Sequence, residues 1–482
     1  MDNSALFTDF YSLTMAQGYW KRSKAQSSGT DRCVFEMFFR HHPYDGGYSI
    51  FAGLGTLLDK LINFSFSNDD IAFLKTQGIF EDAFLEYLKS FRFNGSLWAM
   101  DEGTVIFPQE PLVRVEGSLI ECQIIEGLIL NIINFQSLIA TKACRIWLAS
   151  GKGKIMEFGL RRAQGQDGAL SASRAAYIGG AYGTSNTLAG KVFGIPVMGT
   201  MAHSWIMSYD TEEEAFNAYA DLYPDRTIFL IDTYDTLKSG ILNAIKVGKK
   251  LAAKGKNFGV RLDSGDIQYL SKEVRKRLDE AGLKNAYITV SNDLEENIIE
   301  NLVREGAPVD SWGVGTRMVT GSREAAFTGV YKLAARVEGD TAFPVMKLSD
   351  NPEKTTNPGI KQVWRIWDAN GFSVADVLSI AESSGPKKGS GYNFWHPSAD
   401  YRHFSHTIEG NVEPLLKKRL ENGELTERQP ALAEIQAYTG ANIDRFDASY
   451  KRLLNPHAYK VSITEQLRQL KLELIQKHLG TR

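Results

Sequence analysis

Phe258-Gly259-Val260-Arg261-Leu262-Asp263 is the stretch that decides the fold, because it is a short apolar run that ends in a carboxylate. Five similar runs lie at residues 154–158, 195–200, 227–232, 287–292 and 312–316, and helical stretches such as 236–254 and 266–281 separate them. Apolar strands that alternate with helices predict a parallel sheet buried on both faces. Six such units favour an α/β barrel over an open sheet.

Residues able to do chemistry stand where each predicted strand ends. They are Arg161, His203, Asp232, Asp263, the pair Asn292-Asp293 and the pair Gly315-Thr316. Barrel enzymes carry their active sites at the carboxyl ends of the strands. A single Asp or Asn there would simply begin a loop, but the occurrence of such residues after all six predicted strands favours a functional site.

The composition excludes several classes of protein. The chain has 482 residues, of which 43% are hydrophobic and 23% are charged, and its formal net charge is −2. These values exclude a disordered chain, a collagen-like chain and a coiled-coil rod. The balanced charge predicts neither a nucleic-acid partner nor a membrane partner, although a local basic cleft is compatible with it.

Three features favour a reducing cytoplasm. Cys33, Cys122 and Cys144 form no CxxC pair, and the first residues have neither the basic nor the apolar region of a signal peptide. Residues 119–148 are apolar but contain several charged side chains, which argues against a membrane span. We expect one long helix there, ended by Gly151.

Two arginines follow the first predicted barrel strand in the segment Glu157-Phe158-Gly159-Leu160-Arg161-Arg162. Planar guanidinium groups suit phosphate and carboxylate, and Phe158 can stack on a flat ring. The alternative is a pair of surface arginines beside a core phenylalanine, and the segment alone leaves both open.

Two glycine-containing segments are candidates for anion binding. Gly183-Thr184-Ser185-Asn186 is a polar turn that can hold an anion or simply turn the chain. Gly313-Val314-Gly315-Thr316 lets backbone amides approach a phosphate closely, but it lacks the spacing of a Walker loop or a dinucleotide fingerprint.

Arg261 and Asp263 share one face of their strand, since side chains alternate along a strand. A cation beside a carboxylate suits a sugar phosphate, and a structural salt bridge is the alternative. His203 is the only histidine in the barrel segment, so a multi-ligand zinc site is not expected. It fits acid–base work or covalent phosphate transfer, with a core histidine as the alternative.

The remaining segments read as mixed α and β structure. We expect a helix at 9–21, a strand at 33–40, and a hairpin of 104–107 with 112–115. Strands return at 330–334, 343–348 and 362–367, and we expect them to pack with the N-terminal segment because the barrel already has its strands. Residues 383–391 are interpreted as a solvated linker.

Seven segments together resemble the nicotinate phosphoribosyltransferase family of NAD salvage. The resemblance runs in order along nearly the whole chain, through residues 8–16, 157–162, 183–186, 199–204, 260–266, 313–316 and 454–459. It implies an irregular α/β barrel plus an α+β sandwich built from both ends of the chain. We therefore divide the chain into residues 1–118 and 326–482 for the sandwich and 119–325 for the barrel.

The family implies nicotinate, phosphoribosyl pyrophosphate and ATP as substrates, Mg²⁺ as cofactor, and a homodimer with shared active sites. By resemblance, His203 is the histidine that ATP phosphorylates. Tyr11 and Phe158 match the aromatics that sandwich the pyridine ring, with Tyr11 reaching across the dimer interface. Arg161, Thr200 and Arg261 match the family's substrate and phosphate contacts. Asp232 and Asp263 lie where the family holds ribose and Mg²⁺, and Gly315 and Thr316 lie where it holds the 5-phosphate. The expected substrate site also includes Asn292, Asp293 and Gly313.

The choice between nicotinate and nicotinamide falls on the Ser185-Asn186 turn. The nicotinamide-using relative has an aspartate aligned with Asn186, so an uncharged turn favours anionic nicotinate. A one-residue gap in that alignment leaves Ser185 as the other candidate. The alternatives to nicotinate phosphoribosyl transfer are use of nicotinamide or quinolinate, or a non-catalytic nucleotide-binding protein on the same fold; the latter would have lost His203 or the strand-end carboxylates, which are present.

Overall fold

The chain divides into two units. One contains residues up to Leu138 together with those from Ala326 onward, and the other is Ile139–Ala325. The computed structural model describes residues 5–25, 31–351, 354–399 and 401–480. The boundaries lie at 138/139 and 325/326, against the predicted 118/119 and 325/326, so the first one falls inside a helix rather than before it.

The first unit is built around two sheets. Its strands are β1 Arg32–Phe39, β2 Ser49–Ile50, β3 Ser96–Ala99, β4 Val105–Ile106, β5 Val113–Ser118, β12 Gly329–Glu338, β13 Thr341–Pro344, β14 Lys361–Trp367, β15 Ser373–Ile380, β16 Gly391–Trp395, β17 His403–Thr407, β18 Val412–Pro414, β19 Lys417–Glu421, β20 Glu424–Leu425 and β21 Val461–Ile463. Its helices are α1 Phe10–Ala25, α2 Leu54–Ile62, α3 Asn68–Thr76, α4 Asp82–Lys89, α5 Leu119–Ile124, α15 Leu432–Asp444 and α16 Glu465–Leu479.

Both ends of the chain build this unit. The seven-stranded sheet has the order β13-β12-β1-β5-β3-β19-β20, and the six-stranded sheet has the order β17-β16-β21-β15-β14-β18. Strand β1 is antiparallel to β12 along its whole length, which confirms that the late strands pack with the N-terminal segment. One hydrophobic core joins the sheets, since Met37 of β1 and Val363 of β14 belong to the same buried cluster.

The predicted hairpin of residues 104–107 with 112–115 is wrong. Strand β4 pairs with β2, whereas β5 pairs with β1 and β3. The connection between β4 and β5 is held by Glu110, which accepts a hydrogen bond from the Phe107 amide at 3.1 Å, and Gln109 adopts a positive φ of 73°. Pro108 and Pro111 in this connection have no amide hydrogen for a strand ladder.

The second unit alternates strands and helices. Its strands are β6 Lys154–Glu157, β7 Gly183–Thr184, β8 Ile228–Leu230, β9 Gly259–Leu262, β10 Tyr287–Val290 and β11 Ser311–Val314. Its helices are α7 Gly165–Ile178, α8 Thr187–Phe193, α9 His203–Met207, α10 Glu212–Leu222, α11 Ile241–Ala253, α12 Ile267–Glu280, α13 Glu296–Arg304 and α14 Thr316–Val319. The strands form one parallel sheet in the order β7-β6-β11-β10-β9-β8, with mostly buried side chains as predicted.

Residues 195–200 do not form the predicted strand. Val197 makes only an isolated parallel bridge with Thr184 of β7, because Pro196 lacks the amide hydrogen that a central strand needs. The chain then passes from β7 toward the β9 and β8 side of the sheet, where Thr200 accepts a hydrogen bond from Arg261 of β9 and His203 contacts Thr233 after β8. This segment therefore takes the place of a full strand in an irregular version of the predicted barrel.

The apolar stretch 119–148 forms two helices rather than one. Helix α5 ends at Ile124, and α6, Glu126–Ala149, follows after Ile125. Helix α6 is long and apolar enough to cross a membrane, yet 72% of its most apolar 18-residue window is buried inside the protein. It is therefore a core helix.

Candidate active site

A cavity of about 380 Å³ opens at the carboxyl ends of the barrel strands. Most of the residues predicted from strand ends and glycine-containing turns line it: Phe158, Arg161, Ser185, Thr200, Arg261, Asp263, Asn292, Asp293, Gly313, Gly315 and Thr316. Several further residues line the cavity that were not predicted from the sequence, among them Ser291 and Arg317. Ser291 directly precedes Asn292, so its place at the end of β10 is the signal that could have identified it.

Four arginines line the cavity and make it basic: Arg161, Arg162, Arg261 and Arg317. The Arg261 side chain is 13% exposed, and it donates hydrogen bonds to Thr200 Oγ1 and to the Met201 carbonyl at 3.3 Å. Burial lowers the pKa of Arg261, Asp263 and Asp232 oppose that shift, and the positive charge of Arg161 adds to it. Two guanidinium groups that repel each other across a cavity form a site for an anion.

The two predicted carboxylates lie beside each other. Asp232 Oδ2 accepts hydrogen bonds from the Asp263 amide at 3.1 Å and from the Ser264 hydroxyl. Asp263 is fixed in turn by the Ser291 hydroxyl, which donates to Oδ1. The other oxygen of Asp263 lies 3.9 Å from an Arg261 nitrogen, so the predicted pairing on one strand face is present and remains open to the cavity.

These carboxylates fit a divalent cation. Asp232 Oδ1 is buried, and no described residue donates a hydrogen bond to it. Within the described residues, no three His, Cys, Asp or Glu side chains cluster as a protein-only metal site. Mg²⁺ in phosphate-transferring enzymes is commonly held by one or two carboxylates plus substrate oxygens, which matches a pair of aspartates beside an anion site.

His203 begins α9 and contacts the cavity through Asp263. Its Nδ1 lies 3.1 Å from Thr233 Oγ1, and its Nε2 lies 3.7 Å from Asp263 Oδ2. Thr233 was missed by the sequence analysis, although it directly follows Asp232. The histidine is thus oriented on one nitrogen and faces a carboxylate with the other, the arrangement expected of a reactive histidine.

Phe158 lies against the floor of the cavity. A Cβ added to Gly313 would lie 2.8 Å from Cδ2 and Cε2 of the Phe158 ring, so only glycine at that position leaves the ring where it is. The ring is half-buried and lines the cavity, as required of a stacking surface. Asn292 on the rim has a φ of +94°, a conformation that is uncommon outside glycine and concentrates at functional sites.

The structure corrects the prediction that Asn186 contacts the substrate. Asn186 is 4% exposed, its Oδ1 accepts a hydrogen bond from the Ala189 amide as the cap of α8, and its Nδ2 donates to Ser173 Oγ at 3.2 Å. The side chain is therefore committed to the fold. Ser185, the other candidate, lines the cavity.

Tyr11 lies on α1, in the first unit, rather than among the residues that line the cavity. It is 49% exposed, and its hydroxyl donates to Glu126 Oε2 at 3.0 Å. Its neighbours Phe7 and Phe10 are 54% and 49% exposed, so this end of α1 presents aromatic surface to solvent.

Three family models match the chain. Residues 6–134 match the nicotinate phosphoribosyltransferase N-terminal domain, residues 153–377 match the nicotinate phosphoribosyltransferase family, and residues 360–471 match the C-terminal domain. Together they extend over both units.

Curated relatives and solved structures agree with these matches. The chain is 40% identical to the nicotinate phosphoribosyltransferase of Bacillus subtilis, over 98% of this chain and 96% of that protein. It is 34% identical to the human protein of the same name, over 96% of this chain and 95% of that one. The crystal structure of human nicotinic acid phosphoribosyltransferase superposes with a TM-score of 0.84 and 32% identity, covering 97% of this chain and 99% of that chain. The chain therefore belongs to the nicotinate phosphoribosyltransferase family.

Proposed function

We propose that the protein forms nicotinate mononucleotide and pyrophosphate from nicotinate and phosphoribosyl pyrophosphate, coupled to ATP hydrolysis through a phosphohistidine at His203. In this role it is an ATP-dependent ligase and glycosyltransferase of NAD salvage. The observation that carries the proposal is one cavity at the barrel strand ends that combines the aromatic face of Phe158, four arginines and the carboxylate of Asp263. Asp232 adjoins this cavity through its hydrogen bond from the Asp263 amide.

The base binds between Phe158 and the Ser185 turn in this proposal. The flat pyridine ring stacks on Phe158, and the nicotinate carboxylate accepts a hydrogen bond from Ser185. Arg161 adds positive charge on the same rim. A carboxylate only accepts hydrogen bonds, so a neutral donor and a nearby cation favour nicotinate over its amide.

The sugar phosphate lies across the remaining strand ends. Gly313 and Gly315 allow close approach of the backbone, and Thr316 adds a hydroxyl for the 5-phosphate. The pyrophosphate binds to Arg161 and Arg261. The buried Nε of Arg261 has no hydrogen-bond partner among the described residues and can donate to it.

The reaction joins the pyridine nitrogen to C1 of the ribose while the bond from C1 to the pyrophosphate oxygen breaks. Positive charge develops on the ribosyl ring, and Asp232 and Asp263 stabilise it. Arg161 and Arg261 stabilise the negative charge of the departing pyrophosphate. Mg²⁺, held by Asp232 and Asp263 when bound, supplies further neutralisation of that charge.

Coupling to ATP uses His203. The γ-phosphoryl group forms a bond to a ring nitrogen of His203 while its bond to the ADP oxygen breaks. Because Thr233 occupies Nδ1, Nε2 is the nitrogen nearest Asp263 and the cavity. Hydrolysis of the phosphohistidine then returns phosphate.

A homodimer with shared sites completes the proposal. Tyr11 stands on an exposed aromatic surface with Phe7 and Phe10, a suitable face for a second copy. Glu126, which accepts the hydrogen bond from the Tyr11 hydroxyl, also interacts with Lys332. Burial lowers the pKa of Lys332, the charge of Glu126 opposes that shift, and Arg40 and Lys347 lower the pKa further. Three free, buried cysteines accord with the cytoplasm as its location.

Pyrophosphate release tests the proposal directly. The purified full chain is supplied with phosphoribosyl pyrophosphate, Mg²⁺ and nicotinate, nicotinamide or quinolinate in turn, each with and without ATP. We expect at least a tenfold higher kcat/KM for nicotinate than for the other bases, and stimulation by ATP. Preference for another base would overturn the substrate assignment, absence of any ATP effect would overturn the coupling, and no turnover of any base would favour a non-catalytic nucleotide-binding protein.

A further inference from the structure

Glu157 is a buried carboxylate at the last position of β6, directly before Phe158. It is 1% exposed, and among the described residues it forms no ion pair. Burying a carboxylate without a cation is costly unless hydrogen bonds replace its water. Its surroundings therefore reveal what it holds in place.

Three donors from three segments converge on this carboxylate. The Gly159 amide donates to Oε1, and the hydroxyls of Ser173 and Thr184 both donate to Oε2, with a distance of 2.9 Å from Ser173. The Glu157 carbonyl also accepts a hydrogen bond from the Ser185 amide at 2.9 Å. One residue thus ties the turn after β6, helix α7 and the turn after β7 together.

These segments carry both walls of the base pocket. Gly159 follows Phe158, and the bond to its amide sets the direction in which the chain leaves β6. On the other side, the Thr184 hydroxyl accepts from the Asn186 amide at 2.9 Å, so Thr184 and Asn186 flank Ser185 with fixed backbone. Ser173 receives the Asn186 side chain at 3.2 Å and closes the network.

We propose that Glu157, acting through Thr184 and Ser173, is a positioning residue that sets the separation between the Phe158 ring and the Ser185 hydroxyl, and so determines affinity for the pyridine base. The inference rests on the proposed function, because it takes those two groups as the base-binding contacts. Because the donors to Glu157 are neutral, Arg161 and Arg261 form no ion pair with it and remain available to bind anionic substrates. Displacing positioned groups by about 1 Å can cost up to a hundredfold in activity.

The decisive variants are Thr184→Val and Thr184→Ser. Valine keeps the shape of threonine but removes the hydroxyl that links Glu157 to Asn186, whereas serine keeps the hydroxyl. We expect Thr184→Val to raise the KM for nicotinate about tenfold or more, with the KM for phosphoribosyl pyrophosphate within twofold. Thr184→Ser should stay close to wild type for both substrates.

Glu157→Gln tests the carboxylate itself. Its amide can donate to Ser173, since that hydroxyl can then donate to the Ala169 carbonyl at 3.0 Å. We therefore expect a folded protein with an intermediate rise in the nicotinate KM. Glu296→Gln is the matched control, because Glu296 is 2% exposed in the same unit but pairs with Lys142 and Arg145 and does not line the cavity. It should lower the Tm without changing the ratio of the two KM values.

The outcomes are separable. A selective rise in the nicotinate KM in Thr184→Val, restored in Thr184→Ser and absent in Glu296→Gln, supports the positioning role. Equal changes in both KM values, or a lowered Tm with unchanged KM values, would overturn it. If wild type uses no nicotinate while folded, the proposed function itself fails, and that result is visible before any variant is compared.

Discussion

Replacing Gly313 by alanine tests whether Phe158 is the stacking surface for the base. The added Cβ would lie 2.8 Å from two ring carbons of Phe158 and 3.2 Å from Cβ of Ser291. Ordinary contacts between such atoms are about 3.5–4.0 Å, so the ring must retreat by roughly 0.7–1.2 Å. Overpacking of this kind costs about 1–3 kcal/mol.

That cost falls on the bound state because the ring then occupies space meant for the base. At about 1.4 kcal/mol per tenfold, kcat/KM for nicotinate should fall roughly 5- to 140-fold. The assay is initial-rate pyrophosphate release against nicotinate concentration, with the Tm measured in parallel. Gly168→Ala is the control, since an added Cβ in that helix meets nothing within 4 Å. If Gly313→Ala keeps kcat/KM within twofold at an unchanged Tm, Phe158 does not define the base site.

Four further outcomes are expected. His203→Ala should abolish nicotinate-dependent ATP hydrolysis, measured as ADP release, and leave slow ATP-independent transfer; unchanged coupling would remove His203 from that role. Mixing inactive Tyr11→Ala and Asp263→Ala protomers should restore part of the activity once subunit exchange is shown, and no recovery would indicate sites built within one chain. Ser185→Asp should lower kcat/KM for nicotinate about thirtyfold or more while kcat/KM for nicotinamide holds or rises, because two negative charges in a desolvated pocket cost about 2–5 kcal/mol. An unchanged ratio of the two kcat/KM values would show that Ser185 does not contact the nicotinate carboxylate. Burial and then the charge of Asp376 hold the pKa of Glu110 well above its ordinary value of about 4.5. The folded protein therefore binds a proton that the unfolded chain releases, and the stability gained from that proton is lost as the pH rises above about 4.5 through the raised pKa. The Tm of wild type should fall relative to that of Glu110→Gln over this pH range, and parallel curves of Tm against pH would contradict this.

The barrel was predictable because its signal is local. In a run such as 258–263, the apolar residues form the buried strand β9 and the polar residue at its end, Asp263, lines the cavity. The strand at 195–200 was wrongly predicted for a physical reason that the sequence does contain: Pro196 cannot donate to a ladder, and this consideration should have outweighed the apolar composition.

The residues of the site that directly follow a strand were predictable from the sequence. Residues whose side chains point into the protein interior were harder to predict. Asn186 looked like a ligand contact because its polarity was visible, whereas its use as a helix cap depends on where α8 begins. Glu157 and Thr233 were missed because their roles arise from contacts with residues 27 and 30 positions away. The place of Tyr11 in a shared site is a matter of assembly, which periodicity within one chain does not encode.

The pairing of β1 with β12 sets an order of events during synthesis. The two strands are separated by about 290 residues, and a ribosome adding roughly 5–20 residues per second needs about 15–60 s to make that stretch. Until then, one edge of β1 has no partner strand, and its backbone N–H and C=O groups on that side are unpaired. The barrel segment leaves the ribosome complete before the sandwich can close. A holding chaperone during that interval would therefore protect the N-terminal segment from aggregation, whereas slower translation would lengthen its exposure.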